Sequence, residues 1–151
     1  MSYTWGPAIW TLFHTIIEHV PEKEFSNVGP KIFAYISRIC GLLPCPECQE
    51  HAKKYLNKHK INTSDKKILR EFIYTFHNAV NKHKKNVEQP ITILDKYDDM
   101  SLSEVYNNFI KVFSPRTNTR MIADNMHRSI LIHDFTNWLL TNKHIFYRPS
   151  K

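Results

Sequence analysis

Apolar residues recur every three or four positions along most of this chain, in stretches of helical length separated by prolines and short polar runs. A stripe with a period of about 3.6 residues buries one face of an α-helix and cannot line one face of a strand. In the first stretch Ile9, Phe13, Ile16 and Val20 share a face, Pro7 suits a first-turn position and Pro21 ends the segment. Gly29-Pro30 is expected to open a second helix with Ile32, Ile36, Ile39 and Leu43 on its stripe, closed by Gly41 and Pro44. A third helix is expected from Cys45 to about Asn57. Thr63-Ser64-Asp65 offers an N-cap for a fourth that ends near Lys85, with Ile68, Phe72, Phe76 and Val80 as its buried face. After a loop carrying Pro90, Ser101-Leu102-Ser103-Glu104 reads as the capping box of a shorter fifth helix reaching Phe113. Beyond Pro115, the residues Ile130, Leu131, Phe135, Trp138 and Leu139 predict one more amphipathic helix. Only the β-branched run Ile91-Thr92-Ile93 suggests a short extended piece. With no strand–helix alternation and no internal repeat, the fold class is all-α, a helical bundle.

At 151 residues, with 42% hydrophobic content, the chain is long enough to bury one core, and only 3 glycines argue against a turn-rich β fold. No apolar run approaches about 18 residues, so no membrane span is expected. The first residues lack a basic stretch followed by an apolar run and a cleavage site, so no signal peptide is expected and the sequon Asn62-Thr63-Ser64 should be unused. The formal net charge is +7, and lysines crowd at 53–60 and 82–85. They are either solvated helix faces or a surface for an anion, such as the phosphates of a cofactor or of nucleic acid. No helix-turn-helix, zinc-finger or aromatic RNA-binding signature accompanies them, which argues against sequence-specific nucleic-acid recognition.

Two of the three cysteines form Cys45-Pro46-Glu47-Cys48. An odd cysteine count in an intracellular chain makes such a pair catalytic or metal-binding rather than a structural bridge. A thioredoxin-like domain would flank the motif with strands, whereas helices flank it here. Pro46 is preorganised for a first helical position, which makes Cys45 the N-cap at the positive end of a helix, where a thiolate is stabilised. Cys48 falls on the same face one turn deeper. The competing reading is a metal-stabilised binding module using Cys45, Cys48 and His51, with Cys40 as a further candidate. No second Cys or His pair of ligand spacing follows, however, so no metal is assigned. Cys40 reads as a small buried hydrophobe.

Two further clusters carry polar groups onto apolar stripes. Trp10 and His14 are four residues apart and share a helical face. His77, Val80, Asn81 and Lys84 line another. Buried histidine and asparagine need hydrogen-bond partners, so a satisfied helix end is one reading. The other is a pocket for a flat heteroaromatic ring with a phosphate tail, walled by the aromatic residues and closed by lysines.

Trp5-Gly6-Pro7-x-x-Trp10-x-x-x-His14, then Leu43-Pro44-Cys45-x-x-Cys48, then His77-Asn78-x-Val80-Asn81 follow one another in an order that resembles the Erv/ALR family of FAD-linked sulfhydryl oxidases. The resemblance covers roughly residues 3–110 and is nearest to the small members encoded by large cytoplasmic DNA viruses. It implies a four-helix bundle with a short fifth helix, here followed by an additional C-terminal helix. Residues 1–113 would be the FAD-binding bundle and 114–151 an extension of open role. It implies that Gly6, Trp10, His14, Cys48, His77, Asn78, Val80 and Asn81 contact FAD. Lys84 or Lys85 would lie near the diphosphate, and Tyr97 near the adenine. Cys45 would be the interchange thiol and Cys48 the thiol beside the flavin. Together they would pass electrons from a protein dithiol to FAD and on to molecular oxygen, giving hydrogen peroxide.

Three departures qualify the match. Pro7 stands where many members have arginine, Leu43 where an aromatic is usual, and the lysine spacing is shifted. Cellular members also carry a second, shuttling cysteine pair, and this chain has only Cys40 besides the motif. Its substrate is therefore expected to meet Cys45 directly, as a small thioredoxin-like carrier would. A homodimer is implied, located in the cytoplasm (that of the host if viral) and in the virion.

Overall fold

A computed structural model describes residues 5–115 and 122–148. Among these, every regular element is helical: α1 (Trp5–His19), α2 (Glu22–Cys40), α3 (Pro46–Lys58), α4 (Lys66–His83), a 3-10 helix (Ile91–Asp99), α5 (Leu102–Phe113), α6 (Ile122–Thr141) and the single turn α7 (Lys143–Phe146). The all-α expectation holds.

α1 is the axis of the bundle. Its stripe Ile9, Phe13, Ile16 and Val20 is buried, and it packs most extensively on α5, then on α4 and the 3-10 segment. Two starts follow the expected capping chemistry: the Asp65 carboxylate accepts from the Ile68 amide at 3.0 Å, and the Ser101 hydroxyl from the Glu104 amide at 3.3 Å.

Four expectations are corrected. The second helix begins at Glu22, not at Gly29-Pro30, so Pro30 sits inside it. Glu22 and Glu24 suit a helix N-terminus, and Phe25 and Val28 draw this first part onto the core. Pro30 removes one backbone bond, but the carbonyl that loses it belongs to exposed Ser26, where water can replace the partner. The run Ile91-Thr92-Ile93 is not extended but opens the 3-10 helix, with Ile93 N bonded to Pro90 O at 3.0 Å. Residues three apart eclipse in that geometry, so Leu94 and Tyr97 are buried together; Ile91, at the start of the same row, is 46% exposed. On α4 the buried face is Leu69, Phe72, Ile73 and Phe76, and Ile68 lies outside it, 41% exposed. On α6, Leu131 and Phe135 face the core, while Ile130 points away and is 51% exposed.

α6 is not a separate layer. Leu131, Phe135 and Ile145 join the same core cluster as the α1–α5 residues, and Tyr35 stacks on Phe135 at 4.4 Å between ring centroids.

Of the three glycines, Gly29 has the tightest surroundings. The Thr63 carbonyl oxygen and the Phe25 ring occupy the space that a Cβ would need. Alanine normally stabilises an open helical site by up to about 1 kcal/mol over glycine. Gly29→Ala is instead expected to destabilise by roughly 1–3 kcal/mol, because the turn before α4 must move. Urea unfolding checks this, and a midpoint at or above wild type would contradict the close approach.

Candidate active site

Cys45 occupies the N-cap of α3, its backbone extended at φ −159°, with Pro46 following at the first helical position. Its sulfur accepts the Cys48 amide at 3.2 Å. One turn of helix brings Cys48 back over it, and the two are disulfide-bonded with Cα atoms 5.2 Å apart. Cys48 packs against the hydrophobic core, so the pair runs inward from the cap.

The pair opens onto a cavity of about 760 Å³ between α1, α3, α4 and the 3-10 segment. That is the size of an ordinary small-molecule or cofactor site. Gly6, Trp10, Cys48, His77, Val80, Asn81, Lys84 and Tyr97 line it, together with Cys45. Val80 continues the apolar stripe of α4 but stays half-buried because it borders this space.

One wall is a ladder of rings. Trp10 stacks on His77 at 4.2 Å with planes 7° apart, and His14 stacks on Tyr97 at 4.7 Å. His14 Nε2 lies 3.1 Å from His77 Nδ1, so one ring nitrogen donates and the other accepts. Burial pushes His14 down to about 3, helped by the nearby His77, Lys96 and Arg70. His77 is pushed down to about 4 by burial and then by Lys96. Both rings are therefore neutral at pH 7, which leaves an unprotonated nitrogen to accept the shared bond.

Three expected residues stand behind the lining rather than in it. His14 backs His77. Asn78 clamps the loop after α4: its amide donates to Gln89 O at 2.8 Å and its oxygen accepts from Gln89 N at 2.9 Å. Asn78 also accepts from Asn81 Nδ2 at 3.3 Å, which orients Asn81 at the cavity. Lys85 forms the turn beyond α4, at φ 61°, while Lys84 extends over the Trp5 ring at 5.3 Å.

Trp5, Lys96 and His83 also line the cavity and were not anticipated as site residues, and His51 lines it although expected only as a metal candidate. Trp5 belongs to the first motif and would have been found by extending the aromatic wall by one residue. Lys96 comes from the 3-10 segment, whose sequence carries no helical stripe to reveal it. His51 and His83 stack at 4.4 Å on the rim, and His83 lies 3.8 Å from Glu47. Burial, then His83 and Lys84, lower the His51 pKa.

The metal alternative finds no geometry: among the described residues no three His, Cys, Asp or Glu side chains converge as ligands. Cys45 and Cys48 are bonded to each other, and His51 is stacked on His83. Cys40 is a buried free thiol beside the cavity, its pKa pushed up to about 12 by burial. It is inert at neutral pH.

A family profile matches residues 7–99, described as the Erv1 / Alr family. The chain belongs to that family. It is 32% identical over 94 residues to the FAD-linked sulfhydryl oxidase ERV2 of Saccharomyces cerevisiae, covering 62% of this chain and 48% of that protein. It is 26% identical over 77 residues to the FAD-linked sulfhydryl oxidase ERV1 of Arabidopsis thaliana, covering 51% and 40%. An FAD-linked sulfhydryl oxidase of African swine fever virus (isolate Pig/Kenya/KEN-50/1950) is 27% identical over 78 residues, covering 52% and 66%. The chain spans about half the length of the curated relatives it matches first. No solved structure matches it. The Erv1/Alr match takes in both cysteines, the aromatic–histidine wall and Tyr97, and stops before α5 and α6.

The histidine pair sets a pH dependence. Its folded-state pKa values lie below the ordinary 6.5, so the unfolded chain binds the extra protons first as the pH falls. Stability is whole above about pH 6.5 and declines from there toward pH 4, at up to about 1.4 kcal/mol per pH unit for each histidine. Thermal unfolding of the wild type should show this slope and His14→Asn a shallower one. Equal slopes would contradict a buried neutral pair.

Proposed function

We propose that this protein is an FAD-dependent sulfhydryl oxidase that makes disulfide bonds in protein substrates. The observation that carries the reading is a disulfide at a helix N-cap opening directly onto a cavity walled by parallel rings and edged by lysines. Those walls fit FAD. Flat surfaces from Trp10, His77 and Tyr97 match its ring systems, Asn81 offers an amide, and Lys84 and Lys96 supply positive charge for a diphosphate. Gly6 leaves open space where a side chain would otherwise project. His14 and Asn78 serve this site by holding His77 and Asn81, and Lys85 by shaping the turn that presents Lys84.

The chemistry of the sulfurs follows from their placement. A substrate thiolate attacks Cys45 Sγ, the Cys45–Cys48 bond breaks, and Cys48 leaves as a thiolate. A second substrate thiol then attacks the substrate sulfur of the mixed disulfide and releases Cys45. Cys45 is the better leaving group here because the α3 N-terminus and the Cys48 amide stabilise its thiolate. The substrate departs with a new disulfide, and the protein holds two reduced cysteines. Bound FAD would accept that electron pair and deliver it to molecular oxygen, which leaves as hydrogen peroxide.

By the same reading residues 1–113 form the FAD-binding bundle and 114–151 a helical extension. The substrate is a thioredoxin-like protein dithiol, and the enzyme acts as a homodimer. Its likeness to viral sulfhydryl oxidases supports action in the cytoplasm of an infected cell and in the virion. No described helix is long and apolar enough to cross a membrane.

Cys45→Ser and Cys48→Ser should each abolish oxygen consumption with a dithiol substrate while the purified protein stays yellow. Full turnover in either variant would overturn the assignment. Trp10→Ala and His77→Ala should lower the flavin-to-protein absorbance ratio several-fold, and an unchanged ratio in both would remove FAD from this cavity.

A further inference from the structure

The residues that fix the Cys45–Cys48 loop do not all come from the part of the chain that matches the Erv1/Alr profile. Arg128, on α6, is 5% exposed and is the one lysine, arginine or carboxylate residue buried among those described. Its Nη1 donates to Leu42 O at 2.8 Å, three residues before Cys45, and its Nη2 to Asn125 Oδ1 at 2.7 Å. The guanidinium also faces the Phe113 ring at 5.9 Å. One turn earlier on α6, Asp124 Oδ2 accepts from Gln49 Nε2 at 3.1 Å. The same Gln49 amide donates to Leu43 O at 2.7 Å, and that carbonyl also accepts the Cys45 amide at 2.7 Å. Two successive carbonyls of the loop are thus tied, one directly to α6 and one through Gln49.

Plain core extension does not account for this. Leu131, Phe135 and Ile145 already seat the C-terminal segment on the bundle, and a buried guanidinium is costly unless its hydrogen bonds are needed. We propose that α6 positions the redox loop, with Arg128 on the Leu42 carbonyl as the positioning residue and Asp124, through Gln49, as the second anchor. This rests on the reading of Cys45–Cys48 as the reactive pair. Two thiols held at a fixed separation close to a disulfide more readily than two on a loose loop. Releasing the loop therefore makes the pair more oxidising and slows exchange, without touching the ring wall of Trp10, His77 and Tyr97.

The test uses the flavoprotein under anaerobic conditions, equilibrated in glutathione buffers, with the Cys45–Cys48 state read by thiol alkylation and mass. In that equilibrium two glutathione thiols are oxidised for each protein disulfide reduced. Arg128→Ala should shift the dithiol-to-disulfide ratio toward dithiol about tenfold, which is about 30 mV for a two-electron couple. Turnover with dithiothreitol should lose kcat several-fold with KM and flavin content unchanged. Arg128→Lys, which keeps one donor but not the fork, should fall between. Asp134→Ala, which removes the exposed Arg38 ion pair further along α6, should leave ratio and kcat at wild-type values. If Arg128→Ala does not yield folded protein, Asp124→Ala, which removes the acceptor of the Gln49 amide, carries the test with an expected shift of several-fold. An unchanged ratio in Arg128→Ala or Asp124→Ala, or an equal shift in Asp134→Ala, would overturn the proposal and leave α6 as packing only. The glutathione titration needs no turnover, so a wild type that consumes no oxygen would count against the oxidase reading and not against this one.

Discussion

The shared hydrogen bond between His14 and His77 is the constraint around which the site is organised. It joins α1 to α4 at the back of the cavity, and it can form only if at least one of the two imidazoles is uncharged and can accept. Burial supplies that condition, and the bond in turn satisfies two polar groups that the core would otherwise penalise. Trp10 stacks on His77 and Tyr97 on His14, so the aromatic wall takes its orientation from the same pair. With both histidines charged neither ring nitrogen could accept, and the bond that orients the flat surfaces of the cavity would be lost.

The sulfur pair meets this wall through a second, independent device. Nothing in the α1–α4 contact dictates where α3 begins. Its start is set by Pro46, which cannot continue a backbone ladder upstream, and by Cys45, whose sulfur takes a cap bond that Ser or Asp would ordinarily accept. Sulfur is a weak acceptor when neutral and a strong one as a thiolate. The cap is therefore better satisfied when Cys45 is released than when it is bridged, which suits a residue that must alternate between the two.

Most of the bundle was legible in the chain because the apolar stripes of α1, α2 and α4 are regular and their caps are chemically explicit. The misreadings share one cause: tertiary contact overrode a local signal. Pro30 reads as a helix start, yet Phe25 and Val28 gain enough burial to carry the helix eight residues upstream. Ile91-Thr92-Ile93 has β-branched propensity, but Leu94 and Tyr97 are both buried, and a 3-10 turn sets residues three apart on one face where a strand would set them on opposite faces. Within the site, Trp10, His77, Val80, Asn81 and Lys84 were readable from helical spacing plus the family resemblance. Lys96, His83 and Arg128 were not, because each reaches its place through packing between elements distant in sequence.

That division has a physical logic. Groups on one helix advertise themselves by period, whereas groups that lock one element to another do so only through the finished fold. In this protein the residues facing the cavity are largely of the first kind, and those that hold them there are largely of the second. Asn78 on Gln89 and Arg128 on Leu42 bind backbone carbonyls of segments outside the helices, and Arg148 binds those of Asp98 near the end of the 3-10 helix and of Glu18 in the last turn of α1. A carbonyl can be met by any donor that arrives from the right direction, so such a tether leaves no motif. The loop leading to Cys45 and the segment carrying Tyr97 are two parts of the site that these donors restrain.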